Sequence, residues 1–189
     1  MTDRLVTPTM EPHRGSLLVA TPQLEDPNFR RSVVLMIEHG VEGSLGIVLN
    51  RPSTTLLDGV LPGWALSGGN PSRIFSGGPV QPDAVLALAP TSTAWVGSTQ
   101  VTEQIAMLDL EAEIDPDQID ATSVRYFIGY AGWSPGQLRL EIEEGAWWTF
   151  ESTNDLLLLD PMDCWSRVLA RQKSAARLLA VYPEQLYLN

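Results

Sequence analysis

A chain of 189 residues with 44% apolar side chains is long enough to bury a sizeable core as one domain, so no disulfide or structural metal is required. The 12 Lys and Arg against 23 Asp and Glu give a formal net charge of −11, which repels polyphosphate and removes the attraction behind non-specific DNA binding. The single cysteine, Cys164, excludes an internal disulfide and fits a reducing, cytoplasmic setting, and no Cys/His spacing points to zinc.

Residues 1–14 mix charges and prolines without the apolar stretch of a signal peptide, so they are expected to form a loose tail before a single domain over 15–189. The longest apolar runs, 33–37 and 84–89, fall far short of the roughly 20 residues a membrane-spanning helix needs, so no membrane embedding is expected. With 15 glycines and 14 prolines, many turns and short elements are expected, and long helices should be few.

Runs rich in β-branched residues predict strands at 16–20, 33–38, 44–49, 73–76, 84–89 and 124–128, with weaker strand signals at 147–150 and 155–159. The glycine-containing connection 39–43 predicts an antiparallel hairpin between the second and third strands. No basic residue occurs between Arg73 and Arg125, a gap that holds Asp83, Glu103, Asp109, Glu111, Glu113, Asp115, Asp117 and Asp120. A solvated acidic surface is the expectation there, a docking face for a basic partner the alternative.

Three helix starts share one pattern: Asp115-Pro116-Asp117-Gln118, Ser134-Pro135-Gly136-Gln137 and Asp160-Pro161-Met162-Asp163. In each, Asp or Ser is placed to cap the first-turn amides, proline occupies the first helical position, and an acidic or amide side chain follows. The middle helix should end near Gly145, with Leu138 and Ile142 facing the core. On the last helix, Trp165, Val168, Leu169, Gln172, Ala175, Ala176 and Leu179 share one arc, and Arg167, Arg171, Lys173 and Arg177 the opposite one. Leu178 and Val181 break this pattern. The basic face is expected to be solvated and to lie over the protein's own acidic surface.

Four local patterns stand out: Asp26-Pro27-Asn28-Phe29; Glu38-His39 with Asn50-Arg51-Pro52; Ser76-Gly77-Gly78-Pro79-Val80; and the long run from Gly129-Tyr130-Ala131-Gly132-Trp133 into Ser134-Pro135-Gly136-Gln137-Leu138. In this order, over about residues 15–169, they resemble the YqgE/AlgH family of bacterial proteins. The resemblance implies an α+β fold, a curled, barrel-like mixed sheet with a few short helices and a longer C-terminal one, and no established enzyme activity. One family name reflects a role in regulating alginate synthesis, sometimes described as transcriptional regulation.

Turn chemistry explains Gly77-Gly78-Pro79 and Asn50-Arg51-Pro52 on structural grounds, and His39 at a strand end is either satisfied by its neighbours, a ligand, or a general base. The run Gly132-Trp133-Ser134-Pro135-Gly136 matches the nucleophile elbow of hydrolases, but the residue after the serine is a proline without the N–H an oxyanion hole requires. Both histidines, His13 and His39, also precede the serine, so Ser134 is expected to be a helix cap and no catalytic residue is assigned. Glycine spacing fits neither a phosphate loop nor a dinucleotide site, and no cofactor or metal is expected.

The candidate binding surface comprises His39, Asn50, Arg51, Gly77, Gly78, Pro79, Gly132, Trp133, Gly136 and Gln137, on the expectation that the two glycine turns meet. Three functions compete: a non-catalytic regulatory or protein-interaction domain, which is favoured; a binder of a small anionic ligand or an enzyme using the glycine turns with His39; and a DNA-binding regulator. Direct nucleic-acid binding fits worst, because the chain shows no helix-turn-helix pair.

Overall fold

Apolar runs bounded by turn residues form strands in the computed structural model, which describes residues 10–61, 73–93, 97–111 and 124–181. The strands are β1 (Leu17–Ala20), β2 (Val33–Gly40), β3 (Gly43–Val48), β4 (Pro52–Leu56), β5 (Arg73–Ser76), β6 (Val80–Pro90), β7 (Thr99–Gln100), β8 (Ile105–Met107), β9 (Arg125–Trp133) and β10 (Trp147–Phe150). Among the described residues the α-helices are α1 (Gln137–Glu143) and α2 (Cys164–Ala170), with short 3-10 segments that include Leu156–Leu158 before α2 and Ala175–Val181 after it. The fold is α+β: one mixed sheet curled into a half-barrel, a few short helices, and a longer helical stretch at the C-terminal end.

The sheet runs β10-β1-β2-β3-β9-β6-β8-β7, and β5 pairs antiparallel with β4 and parallel with β9. One edge of β9 is therefore shared: residues 131–133 pair with β3, whereas 126–128 lie beside β5. Gly77 sits at this fork. Its N–H donates to the Ile128 carbonyl and its own carbonyl accepts from the Val48 N–H, both at 2.8 Å. A Cβ on Gly77 would stand 2.3 Å from the Gly129 oxygen, and one on Gly78 only 2.2 Å from the Tyr130 carbonyl carbon, so this close approach needs glycine.

Strand alternation buries both faces of the sheet's first strands. Leu17, Val19, Leu35 and Ile47 join the larger core with Phe127, Leu156, Trp165 and Leu169, whereas Leu18, Val34, Met36 and Val48 join a second core with Trp133, Leu138 and Trp147. Each large apolar side chain fully buried this way contributes about 1.5–3 kcal/mol.

Several expectations change. The weak strand signal at 155–159 is the 3-10 segment Leu156–Leu158, since a leucine run lacks the β-branched residues that favour strands. The strand expected over 124–128 runs on through Trp133, so Gly132 and Trp133 of the expected 132–137 turn belong to β9, and Gly129 within it lets the Gly77-Gly78 backbone approach. The Ser134 hydroxyl makes no capping bond; instead the Gln137 Oε1 accepts from the Ser134 N–H at 3.0 Å, and α1 starts after a left-handed Gly136. Its C-terminal end is as expected, with the Gly145 N–H bonded to Ile142 and the Ala146 N–H to Glu141.

Before α2, the Asp160 Oδ1 accepts from the Met162 N–H at 2.9 Å in a turn that precedes the helix. The last helix is interrupted: α2 closes at Arg171 and the chain resumes as a 3-10 helix. Trp165, Val168, Leu169 and Ala176 are buried, Arg167 meets Asp163 at 3.6 Å, and Arg171 meets Asp155 at 2.6 Å. The helix expected from Asp115 lies outside the described residues. Within the expected tail, residues 1–9 also lie outside them, whereas Pro12 is buried and the Ser16 hydroxyl donates to the His13 carbonyl at 2.7 Å.

Candidate functional site

The β2–β3 hairpin separates two of the candidate residues. Val34 stands opposite Val48 at one end and His39 opposite Ser44 at the other, so Asn50 and His39 lie at opposite ends of the hairpin. Six residues of strand amount to about 20 Å.

At one end, the His39 Nδ1 and the Ser44 Oγ are 2.7 Å apart and exposed, and Ser44 pairs in turn with Trp133 on β9. Trp133 leads through Ser134 and Gly136 into α1, where the Gln137 Nε2 donates to Glu141 Oε1 at 3.0 Å. The other Glu141 oxygen accepts from two indoles, Trp133 at 2.9 Å and Trp147 at 2.8 Å. Phe29, from the Asp26-Pro27-Asn28-Phe29 turn, stacks on Trp133 at 6.3 Å and meets the edge of Trp147 at 5.5 Å. Buried indole N–H groups require an acceptor, and the single turn of helix between Gln137 and Glu141 supplies one carboxylate to three donors.

At the other end, the Asn50 Oδ1 accepts from the Val33 N–H and its Nδ2 donates to the Arg31 carbonyl, both at 2.9 Å. The Arg51 guanidinium donates to the Arg30 carbonyl, and the Arg51 carbonyl accepts from the Ser76 N–H at 2.8 Å. These bonds hold Arg31 in the left-handed region, at φ +55°, with its guanidinium 4.2 Å over the Trp165 ring. Gly77 and Gly78 follow at the fork, packed against β9 by backbone contact, and Pro79 leads from them into β6. The structure thus brings Gly77 and Gly78 against residues 129–131, brings His39, Trp133, Gly136 and Gln137 towards one hairpin end, and leaves Asn50 and Arg51 at the other.

Glu141 and Ser44 are the residues that sequence reasoning missed, and Phe29, singled out in its motif, was left out of the candidate surface. The signal for Glu141 was its i, i+4 spacing from Gln137 beside two tryptophans in need of acceptors. Ser44 was readable by counting the hairpin register from His39.

Charged groups away from these turns are shifted by identifiable causes. Burial lowers the Arg125 guanidinium from its ordinary value; it donates to the Leu159 carbonyl at 2.6 Å and stands 5.1 Å over Phe75. Burial likewise pushes the Cys164 thiol up to about 11. The bond from Arg171 holds the Asp155 carboxyl down at about 2.

An open, polar depression of about 360 Å³ is lined by His13, Arg14, Glu103, Gln104, Glu151 and Asn154, and none of the candidate residues takes part in it. Across it the His13 Nε2 and Glu151 Oε2 are 3.8 Å apart. Among the described residues, no three His, Cys, Asp or Glu side chains gather as a metal site, and no helix is long and apolar enough to cross a membrane.

Comparison with known proteins gives a consistent answer. A family model described as AlgH-like matches residues 17–177. A UPF0301 protein of Streptomyces avermitilis is 44% identical over 182 residues, covering 93% of this chain and 94% of the relative. Another, from Mycobacterium leprae, is 42% identical over 177 residues, covering 89% and 87%. A crystal structure of a Corynebacterium diphtheriae protein superposes with a TM-score of 0.82 at 30% identity, covering 96% of this chain and 100% of the other. The solution structure of the AlgH protein from Pseudomonas aeruginosa gives 0.66 at 28% identity, covering 95% and 99%. The family match over 17–177, the extent of these relatives and the shared fold place the chain in the AlgH-like family of bacterial proteins, whose function is uncharacterised.

Proposed function

We propose that this chain is a non-catalytic protein-interaction domain of a regulatory system in the bacterial cytoplasm, and that any influence on transcription is indirect. The observation that carries this reading is where the polar groups of the family motifs point. Asn50 ties down 31–33, Gln137 closes the start of α1, and Trp133 with Trp147 is bonded to Glu141. Groups engaged this way stabilise a scaffold, and the outer surface is left to recognise a partner. The net charge of −11 supports indirect action, because a duplex is repelled by such a field.

A second reading, a site for a small anionic ligand, is favoured by the exposed His39–Ser44 pair beside the Trp133 end of β9. A tagged-protein capture run alongside a thermal-shift screen of metabolites and inorganic anions separates the two. The interaction reading expects a stoichiometric protein partner and no saturable rise in melting temperature with small molecules. A saturable rise that His39→Ala abolishes, without a captured partner, would replace it with the ligand reading. Fluorescence anisotropy with duplex DNA at about 150 mM salt should show no sequence-specific binding.

A further inference from the structure

The residues that break the amphipathic pattern of the last helix lie together on the surface. Leu178 is 67% exposed and Val181 87% exposed, in a segment where Ala176 is buried and Leu179 packs against the main core. After α2 closes at Arg171, Ala175–Val181 winds with three residues per turn, so side chains at i and i+3 eclipse each other. Ala176, Leu179 and Ala180 face the core, and half-buried Ala175 with exposed Leu178 and Val181 forms a ridge on another side.

Arg177 is exposed beside Leu178 on the same segment, and exposed Lys173 stands just before it. The other two cations of the stretch are paired, Arg167 with Asp163 and Arg171 with Asp155, while Lys173 and Arg177 form no salt bridge with any described residue. In a chain of net charge −11, two exposed apolar side chains accompanied on the same stretch by two exposed cations that pair with no described residue are a local inversion of the surface character.

We infer that the Ala175–Val181 ridge, with Lys173 and Arg177, is a docking surface for a short protein segment that alternates acidic and apolar side chains. The apolar ridge supplies the anchor, and the two cations match the acidic residues beside it. A long polyanion is a poor occupant, since beyond a Debye length of about 8 Å it meets the acidic remainder of the molecule, and its phosphates make no use of Leu178 and Val181. A short segment feels mainly the local charge. This inference rests on the interaction reading above and names the partner chemistry of that reading.

The test uses the full chain and a fluorescein-labelled synthetic peptide of alternating Glu and Leu with occasional Asp and Phe, followed by anisotropy. Comparison probes are polyglutamate of equal charge, the same peptide with Lys in place of each acid, and single-stranded DNA. Saturable binding of the acidic-apolar peptide is expected, weaker by about tenfold or more in Lys173→Glu/Arg177→Glu and in Leu178→Ser/Val181→Ser, with unchanged circular dichroism and melting. All four side chains are exposed, so the variants should fold.

Equal binding of polyglutamate or DNA would overturn the inference, because charge alone would then suffice. So would variants that bind the peptide as the parent does, which would move the contact elsewhere and leave the interaction reading standing. Sedimentation showing a dimer that Leu178→Ser/Val181→Ser dissociates would also overturn it, by making a second copy the occupant. Failure of the interaction reading itself would appear separately, as the ligand-induced rise in melting temperature described above.

Discussion

Trp133 and Trp147 donate their indole N–H groups to the same carboxylate oxygen of Glu141, although β1, β2 and β3 lie between their strands. On a flat sheet those two strands would be about 19 Å apart. Their ring centroids stand 6.0 Å apart, edge to face, so the contact depends on the coiling of the sheet.

Glu141→Ala should therefore cost about 1–3 kcal/mol, because it leaves buried indole donors without an acceptor. Glu141→Gln, which keeps one acceptor oxygen, should cost less. Urea unfolding followed by tryptophan emission measures both, and a parent-like midpoint for Glu141→Ala would show that the shared carboxylate contributes nothing.

The Asp155–Arg171 pair predicts a small acid-dependent loss of stability. Asp155 is held at about 2 in the folded protein, below its ordinary 3.8, first by the hydrogen bond from Arg171 and further by Thr153, while burial opposes the shift. A depressed folded-state value means that the contribution is complete above the ordinary value and disappears as pH falls from about 4 through 2. Side-chain exposures of 37% and 44% let solvent screen the pair, which limits it to about 1 kcal/mol or less. Asp155→Asn should lower stability slightly at pH 7 and flatten the acid limb of the stability–pH curve. An unchanged acid limb would count against the pair.

Cys164 should be unreactive in the native state. Its thiol is fully buried and pushed up to about 11, so little thiolate is present at neutral pH and a reagent has no access to it. Ellman's reagent at pH 8 should modify it only as urea unfolds the chain, with the two transitions coinciding. Rapid modification of the folded protein would mean that α2 opens locally.

At the start of α1, Gln137→Ala should destabilise by about 0.5–1 kcal/mol, because the Ser134 N–H loses its acceptor. Ser134→Ala should be close to neutral, since its hydroxyl caps nothing. Thermal melts of the two variants decide the order, and a larger loss for Ser134→Ala would restore the serine as the cap.

Most strands were legible because their apolar residues are β-branched and bounded by turn residues, as in Val33-Val34 and Ile47-Val48. β4 was not, because Pro-Ser-Thr-Thr-Leu opens on proline and carries little apolar signal; a strand of this composition forms only beside a neighbour such as β5. The long β9 was hidden by Gly129 and Gly132, which read as a turn when taken alone. The role of Gly129 depends on Gly78, some fifty positions earlier, and local sequence carries no record of which distant backbone approaches. The separation of His39 from Asn50, in contrast, was available in the hairpin register.

The fork at Gly77 also bears on the order in which the molecule can assemble. β3 and β5 both complete their pairing on β9, and β1 needs β10, so segments near residues 17, 45 and 75 wait for partners near 150, 132 and 127. These loops are long, and closing them carries the entropy that makes topologies of high contact order fold slowly. On a ribosome, the apolar β1–β2–β3 segment emerges well before β10 and β9, the strands that cover its two edges, and through that interval it is open to chaperones and to aggregation alike.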